Sequence, residues 1–203
     1  MAADVYDVHT ERTYHHGDLK RALVEAAFDL LQVYGLDRLS LRSVARRAGV
    51  SAMAPYRHFP DRKALLGAVA EHGVELLARR LEGAGGDPDP GRAIVDQGLA
   101  YVAFAARYPD LFRLMYAREP GRSGRADPKL SHDPSTPFGL LARTVSAVVA
   151  PADAETAALA AWSFIHGLAS LVVDRRLTPF PQDSDELVRR LLGFFAGRLA
   201  GPA

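Results

Sequence analysis

Residues 38–63 of this 203-residue chain combine the hydrophobic spacing of helices with a marked excess of positive charge. The segment holds seven arginine and lysine residues and one acidic residue, a local net charge of +6, whereas the whole chain carries only +1. Apolar residues recur at helical spacing before Gly49, and glycine suits the left-handed conformation in which many helices end. The segment therefore predicts two short helices joined by a tight turn, with a cationic surface suited to a polyanion such as duplex DNA.

Two serine residues mark the starts of these helices. Ser40 precedes the first helix and Ser51 precedes a second at roughly 52–58, and a serine hydroxyl in such a position can accept a hydrogen bond from a free amide of the first turn. Pro60 and Asp61 end the second helix and start the next one. In helix-turn-helix proteins the second helix enters the major groove of DNA, so we expect 52–58 to be the recognition helix.

An ordinary pair of surface helices with a solvated arginine face is the simpler alternative, because runs of charge on helices usually face water. Three features together favour DNA binding. They are the Ala-Gly-Val-Ser turn, the aromatic and histidine residues that end the second helix, and the basic residues on both helices.

The sequence from Tyr14 to Val74, about the first third of the chain, resembles the DNA-binding domain of tetracycline-repressor-type (TetR family) regulators. The matching stretches are HHGDLKRALVEAAFDLLQVYGLDRLSLRSVARRAGVS, APYRHF and PDRKALLGAVAEHG. The resemblance implies an all-α fold of about nine helices, and the remaining chain agrees with it. Its glycines and prolines predict a linker at Gly83–Gly91, and its helical periodicity predicts further helices at about 91–107, 109–116, 137–149, 153–176 and 183–199. The implied parts are an N-terminal three-helix DNA-binding domain with the helix-turn-helix at 1–60, a connecting helix at 61–82, and a helical effector and dimerisation domain at 83–203.

The resemblance and the predicted second helix together give ten candidate DNA contacts. In the family, positions like those of Ser40 and Arg42 lie at the groove, and positions like those of Arg62 and Lys63 touch phosphate. The predicted recognition helix supplies the rest. The ten residues are Ser40, Arg42, Ser51, Ala52, Ala54, Tyr56, Arg57, His58, Arg62 and Lys63.

One residue of the predicted recognition helix departs from the family pattern. Pro55 replaces the usual aliphatic residue before the tyrosine, and proline is tolerated only near a helix start. We therefore expect the first turn to be distorted. Its residues 52–54 offer no strong hydrogen-bonding group to a base edge, so sequence readout is left to three possibilities: Arg42, Tyr56 and Arg57, contacts with thymine methyl groups, or DNA shape.

The composition argues against catalysis and metal binding. The chain has no cysteine, which excludes disulfides, thiolate nucleophiles and cysteine-ligated metals. It has no phosphate-binding or dinucleotide-binding glycine motif, no GxSxG motif and no histidine pair with zinc spacing. We expect no catalytic residue, cofactor or metal. The alternative is a helical enzyme or carrier with an incidental basic segment. A DNA binder differs from it in having an affinity for DNA that falls steeply as salt rises.

The sequence also bears on localisation. Residues 156–173 carry no formal charge and approach the length of a membrane span. Serine and histidine residues interrupt this stretch, so a helix buried all round, in a core or a dimer interface, explains it better. Three acidic residues break the apolar character of the N-terminus, which is unlike a signal peptide. We expect a cytoplasmic protein without a membrane partner.

Aromatic residues recur on the predicted C-terminal helices. Most suit a hydrophobic core, but ligand pockets between helices are also lined by aromatic residues with a few polar groups, and the resemblance implies an effector pocket here. The candidate pocket residues are Phe104, Phe112, Met115, Phe138, Trp162 and His166. The proline- and glycine-rich loop 117–137 is open to two interpretations, a surface loop or a lid over this pocket.

The last two predicted helices, 153–176 and 183–199, carry more apolar residues than one buried face requires. Surplus apolar surface favours burial against a partner, and a homodimer with a four-helix interface would set two recognition helices on a palindromic operator. The candidate interface residues are Ala161, Leu168, Leu191, Phe194 and Phe195. We expect a ligand-responsive transcriptional regulator, in this family most often a repressor; the runner-up is a regulator whose pocket is filled by side chains.

Overall fold

The computed structural model describes residues 19–117, 130–177 and 184–199, and within these ranges the chain is helical with no strand. This confirms the predicted all-α class. A 3-10 helix at Ala54–Arg57, hereafter the recognition element, and a 3-10 turn at Pro151–Asp153 accompany eight α-helices in the described ranges. The α-helices are α1 Leu19–Tyr34, α2 Leu41–Arg47, α3 Arg62–Ala84, α4 Pro90–Arg107, α5 Pro109–Tyr116, α6 Pro137–Ser146, α7 Ala154–Val173 and α8 Ser184–Leu199.

Polar caps fix the helices of the N-terminal part. The Ser40 hydroxyl accepts from the Ser43 amide at 3.1 Å, and the Ser43 hydroxyl accepts from the Ser40 amide at 2.9 Å. This reciprocal pair satisfies two free amides at the start of α2. Asp61 caps α3 with a single hydrogen bond, in which its carboxylate accepts from the Ala64 amide at 2.8 Å. The predicted starts of both helices are therefore confirmed, and α1, α2 and α3 pack together around buried Leu23 and Val44.

The recognition element is shorter than the predicted helix 52–58 and is a 3-10 helix instead of an α-helix. The prediction was therefore wrong in both the bounds and the type of the helix. The Tyr56 amide donates to the Met53 carbonyl and the His58 amide donates to the Pro55 carbonyl, both across three residues as in a 3-10 helix. Pro55 has no amide hydrogen and its side chain is buried. Proline cannot donate the hydrogen bond to the Ser51 carbonyl that an α-helical first turn needs, and the Ala54 amide donates to this carbonyl instead, across three residues.

The turn between α2 and the recognition element depends on a left-handed residue. Gly49 has φ +71°, and the next amide, that of Val50, reaches back to the Ala45 carbonyl at 3.0 Å. A residue with a Cβ pays about 1–2 kcal/mol in this conformation. The Cβ itself would have open space, because no heavy atom of the described part of the chain lies within 4 Å of its position.

We expect Gly49→Ala to lower the free energy of unfolding by about 1–2 kcal/mol. Gly67, in the interior of α3, also has open space where a Cβ would lie, but its backbone is not left-handed. Gly67→Ala should therefore raise the free energy of unfolding by about 0.5–1 kcal/mol through helix propensity. Urea unfolding of the pair measures both signs, and a Gly49→Ala variant as stable as Gly67→Ala would contradict the prediction.

The predicted linker Gly83–Gly91 is wrong in extent. Helix α3 continues to Ala84, and α4 begins at Pro90, where the Asp89 carboxylate accepts from the Gly91 amide at 2.9 Å. Glycine within a helix costs only about 1 kcal/mol, so Gly83 does not end α3. Only residues 85–89 connect the two helices.

In the C-terminal part, α4 is central and packs against α3, α6, α7 and α8. Tyr101 and Phe104 of α4 are almost fully buried there.

Two glycines allow helices to approach closely. A Cβ on Gly73 would lie 2.8 Å from the Met115 sulfur of α5, and one on Gly98 would lie 2.6 Å from a methyl group of Leu192 in α8.

Helix α7 is buried on one face only, against α4 and α6. Within the single chain the helix is therefore not buried all round, and its burial in a dimer interface stays a prediction. The outward face carries small and apolar residues: Leu159, Ala160, Ser163, Gly167 and Leu171. Among the residues that the structure describes, Pro151–Val173 is long and apolar enough to cross a membrane by length and composition.

The predicted helices 137–149 and 153–176 both end three residues early, at Ser146 and Val173.

Candidate DNA-binding surface and effector region

The ten predicted DNA contacts come together on α2, the recognition element and the start of α3. Ala54 is half-buried and the other nine residues are exposed. Arg38 and Arg46, which the prediction left out, are exposed beside them and add two positive charges. A simple count of basic residues in the segment could have found both.

The positive charges of this surface are available to a partner. Within the described ranges, no carboxylate forms a salt bridge with Arg42, Arg57 or Lys63. Exposed and unpaired guanidinium and ammonium groups are the groups that neutralise DNA phosphates. The described surface therefore keeps a net positive field at its tip.

Two other arginines hold the helices in place. The Arg62 guanidinium donates from Nε to the Leu39 carbonyl at 2.8 Å and from Nη2 to the Leu36 carbonyl at 2.6 Å. Arg47 of α2 bonds the Asp29 carboxylate of α1 at 2.9 Å. Arg62 thus ties the start of α3 to the connection before α2, and its predicted contact with phosphate stays a prediction.

A second cluster lies around Tyr101 in the C-terminal part and is hereafter called the aromatic cluster. Its members are Tyr101, Phe112, Tyr116, Phe138, Trp162 and His166. The Tyr101 ring centroid lies 5.3 Å from that of Trp162 and 6.0 Å from that of Phe112. The Tyr101 hydroxyl lies 2.9 Å from His166 Nδ1 and 3.0 Å from the Tyr116 hydroxyl. Sequence reasoning missed both tyrosines, because the partners of Tyr101 lie far from it along the chain.

The predicted pocket residues do not all share this cluster. Phe112, Phe138, Trp162 and His166 belong to it, since Phe138 packs edge-on against Trp162 at 5.6 Å. The remaining two face other helices. Phe104 packs against Tyr108 at 5.3 Å, and Met115 lies against Gly73 of α3. Residues 118–129 of the predicted loop or lid lie outside the described residues.

Burial favours the uncharged forms of Tyr101 and His166 in the aromatic cluster. Burial, with a smaller contribution from Tyr116, raises the pKa of Tyr101 far above its usual range. Burial lowers the pKa of His166 below its usual 6.5, because the charged imidazolium loses hydration. The cluster therefore offers neutral phenol and imidazole groups inside an apolar lining.

The lowered pKa of His166 predicts a pH dependence. Below about pH 6.5 the unfolded chain binds a proton at this residue that the folded chain does not, so stability falls as the pH decreases. Above that pH the His166 imidazole is neutral in both the folded and the unfolded chain, so its contribution to the free energy of unfolding is constant. We expect the free energy of unfolding of His166→Phe to fall less between about pH 6.5 and 5 than that of the wild type. Parallel curves from urea titrations would contradict this.

Aromatic contacts connect the two parts of the molecule. The Phe28 ring of α1 lies 5.6 Å from that of Tyr108, at the junction of α4 and α5, and 5.7 Å from that of His72 in α3. The Arg80 guanidinium of α3 lies 5.6 Å from the same Tyr108 ring. Helix α5, which carries Phe112 of the aromatic cluster, also packs against α1 and α3.

The predicted dimer residues divide between two environments. Ala161 and Leu168 are buried within the chain, at 0% and 5% exposure, on the face of α7 that packs on α4 and α6. Leu191 and Phe195 of α8 are half-buried, and the Phe195 ring stacks on Phe164 of α7 at 4.5 Å. Only Phe194 projects fully into solvent, at 67% exposure.

Comparisons with known proteins define a DNA-binding regulator of the helix-turn-helix class. A family model described as bacterial regulatory proteins of the tetR family matches residues 23–69, and one described as a tetracyclin repressor-like C-terminal domain matches residues 94–195. The chain belongs to the TetR family. An uncharacterised HTH-type transcriptional regulator from Haemophilus influenzae is 35% identical over 107 residues, which are 51% of this chain and 52% of that protein. The matched region spans about half the length of this curated relative.

Solved structures agree with this assignment. A protein of unknown function from Rhodococcus sp. RHA1 is 36% identical, covers 94% of this chain and 100% of its own, and superposes with a TM-score of 0.76. BioQ from Mycobacterium smegmatis is 24% identical, with 89% and 97% coverage and a TM-score of 0.61. A TetR variant from Acinetobacter baumannii AYE in complex with minocycline is 23% identical, with 89% and 93% coverage and a TM-score of 0.58. These last two share the fold.

Proposed function

We propose that the protein is a homodimeric transcriptional repressor that binds a palindromic operator and is released from it by a small-molecule effector. The observation that carries the proposal is the exposed cationic surface of α2, the recognition element and the start of α3. The proposal divides the chain into a DNA-binding domain at 1–60, a connecting helix at 61–82 and an effector and dimerisation domain at 83–203. Its place of action is the cytoplasm, where the operator DNA is.

The chemistry of the surface supports operator binding. Arg42, Arg57 and Lys63 are exposed and cationic, and Tyr56 and His58 add hydrogen-bonding groups between them. Cations position a protein on phosphates, whereas side chains that reach base edges supply specificity. Both types of group occur together on this surface.

The outward faces of α7 and α8 support a homodimer. On α7 the exposed residues Ala160, Ser163 and Gly167 are small, and on α8 Gly193 and Gly197 flank the exposed Phe194. Among the residues that the structure describes, none has a heavy atom within 4 Å of a Cβ built on Gly167, Gly193 or Gly197. Small residues let helices of two copies approach closely, and a large apolar side chain between them fills the contact. The proposed interface therefore lies on this face, with Ala161 and Leu168 supporting it from within the chain.

The aromatic cluster supports an effector. Pockets of small-molecule sites are lined mainly by apolar and aromatic groups with a few polar ones, which describes Tyr101, Tyr116 and His166 among the rings around them. Contacts from α5 to α1 and α3 give an effector here a physical route to the DNA-binding surface. Release of the operator then requires two arrangements of α3 and α5 that differ in operator affinity. The effector must bind more tightly to the arrangement that binds the operator less well.

A second candidate, a regulator without a small-molecule effector, is favoured by the packing of the same region. Phe104, Met115 and Phe138 are almost fully buried in contact with neighbouring side chains. In this alternative the side chains fill the space that an effector would take, and operator binding responds to no compound.

Trp162 allows the two candidates to be separated, because it is the single tryptophan of the chain and lies in the aromatic cluster. Uncharged aromatic compounds are screened for quenching of its fluorescence, and compounds that quench it are titrated against the protein–operator complex. The proposal predicts that such a compound lowers operator affinity and that the operator lowers the affinity for the compound by the same factor. Compounds that quench Trp162 without changing operator affinity would support the second candidate.

A further inference from the structure

The start of the recognition element presents an apolar side chain. Met53 immediately precedes Ala54–Arg57 and is 69% exposed. In helix-turn-helix proteins the N-terminal residues of the recognition helix contact base edges. Met53 therefore occupies a position at which a side chain that reads DNA is expected.

The local winding sets the direction of this side chain. Met53 has helical backbone angles, φ −91° and ψ −14°, so the three-residue period of the 3-10 helix extends to it and places it on the same face as Tyr56. Pro55 and Phe59 are buried and hold the opposite side of the element on the core. Met53 and Tyr56 consequently face outward together.

The chemistry of the neighbouring residues limits what this end of the element can read. Ala52 is exposed and Ala54 half-buried, and neither has a polar side-chain atom. The methionine thioether is only a weak acceptor, but its flexible and polarisable chain adapts well to apolar surfaces. In the major groove the apolar feature of the bases is the C5-methyl group of thymine.

We propose that Met53 is a specificity-determining residue that contacts a thymine methyl group in each half-site of the operator. The inference rests on the proposed function and deepens it, because it states what the recognition element reads.

The test replaces thymines by deoxyuridine, which removes the methyl group and leaves base pairing intact. An operator is first selected by the wild-type protein from random DNA, and each thymine is then replaced symmetrically in both half-sites. At one or two positions we expect the affinity of the wild type to fall by about fourfold per half-site, about sixteenfold for the whole operator, the value of one buried methyl group per contact. Met53→Ala should bind both operators equally, and Met53→Leu should keep the preference for thymine.

Val33, at the end of α1, is also 69% exposed, so Val33→Ala removes an equally exposed apolar side chain and should leave the deoxyuridine profile unchanged. A wild type indifferent to every replacement, or a Met53→Ala variant with the wild-type profile, would overturn the role of Met53 while operator binding stands. If the wild type selects no operator, the proposed function fails and this inference fails with it.

Discussion

Arg42→Ala and Tyr56→Ala are each expected to weaken operator binding by about a hundredfold or more while leaving the protein folded. A good side-chain contact to DNA contributes about 1–3 kcal/mol, and a symmetric dimer makes each contact twice. Both residues are exposed on the proposed DNA surface, so their removal leaves the core intact. Titration of a labelled operator at constant salt measures the loss, and thermal unfolding checks the fold.

Two substitutions of the same chemical kind serve as controls. Arg143→Ala removes an exposed arginine from α6, and Tyr34→Ala removes an exposed tyrosine from the end of α1. Both should bind the operator as the wild type does. The assignment of the DNA surface would be wrong if Arg42→Ala and Tyr56→Ala bound the operator with wild-type affinity, or if the controls lost as much.

Phe194→Asp is expected to raise the dissociation constant of the dimer by about a hundredfold or more. Central aromatic residues of interfaces are often worth at least about 2 kcal/mol, and a twofold interface contains each of them twice. Phe194 is 67% exposed, so a charge at this position costs little within a single chain. Placed in a dimer interface, the same charge would be buried without a partner.

Sedimentation equilibrium over a range of concentrations measures this dissociation constant. Val33→Asp is the matched control, because Val33 is an equally exposed apolar residue outside α7 and α8, and it should leave the dimer unchanged. A Phe194→Asp protein that stays dimeric at the concentrations at which the wild type does would place the interface elsewhere.

Local sequence signals predicted most of the helices. The bounds of α5 were predicted at 109–116 and are found at Pro109–Tyr116, because a proline starts the helix and its apolar spacing is regular. The recognition element was mispredicted in its bounds and its type, although Pro55 indicated a distorted first turn. The spacing of apolar residues does not distinguish a short 3-10 helix from the first turns of an α-helix.

The sequence does not indicate which face of α7 is buried within the chain. Its two faces are both apolar or small, so periodicity does not distinguish the side that packs on α4 from the side left outward. The two predicted interface residues on this helix, Ala161 and Leu168, consequently turned out to lie in the interior. The aromatic cluster shows the same limit, because Tyr101 finds His166 across 65 residues of sequence.

The central claim, a dimer that reads a palindromic operator, is tested most directly by selecting bound sites from a random DNA pool and sequencing them. We expect an enriched inverted repeat whose half-sites are spaced by whole helical turns. The affinity of the protein for this repeat should fall steeply as salt rises. Enrichment of no sequence, with only weak and salt-sensitive binding to all DNA, would contradict it.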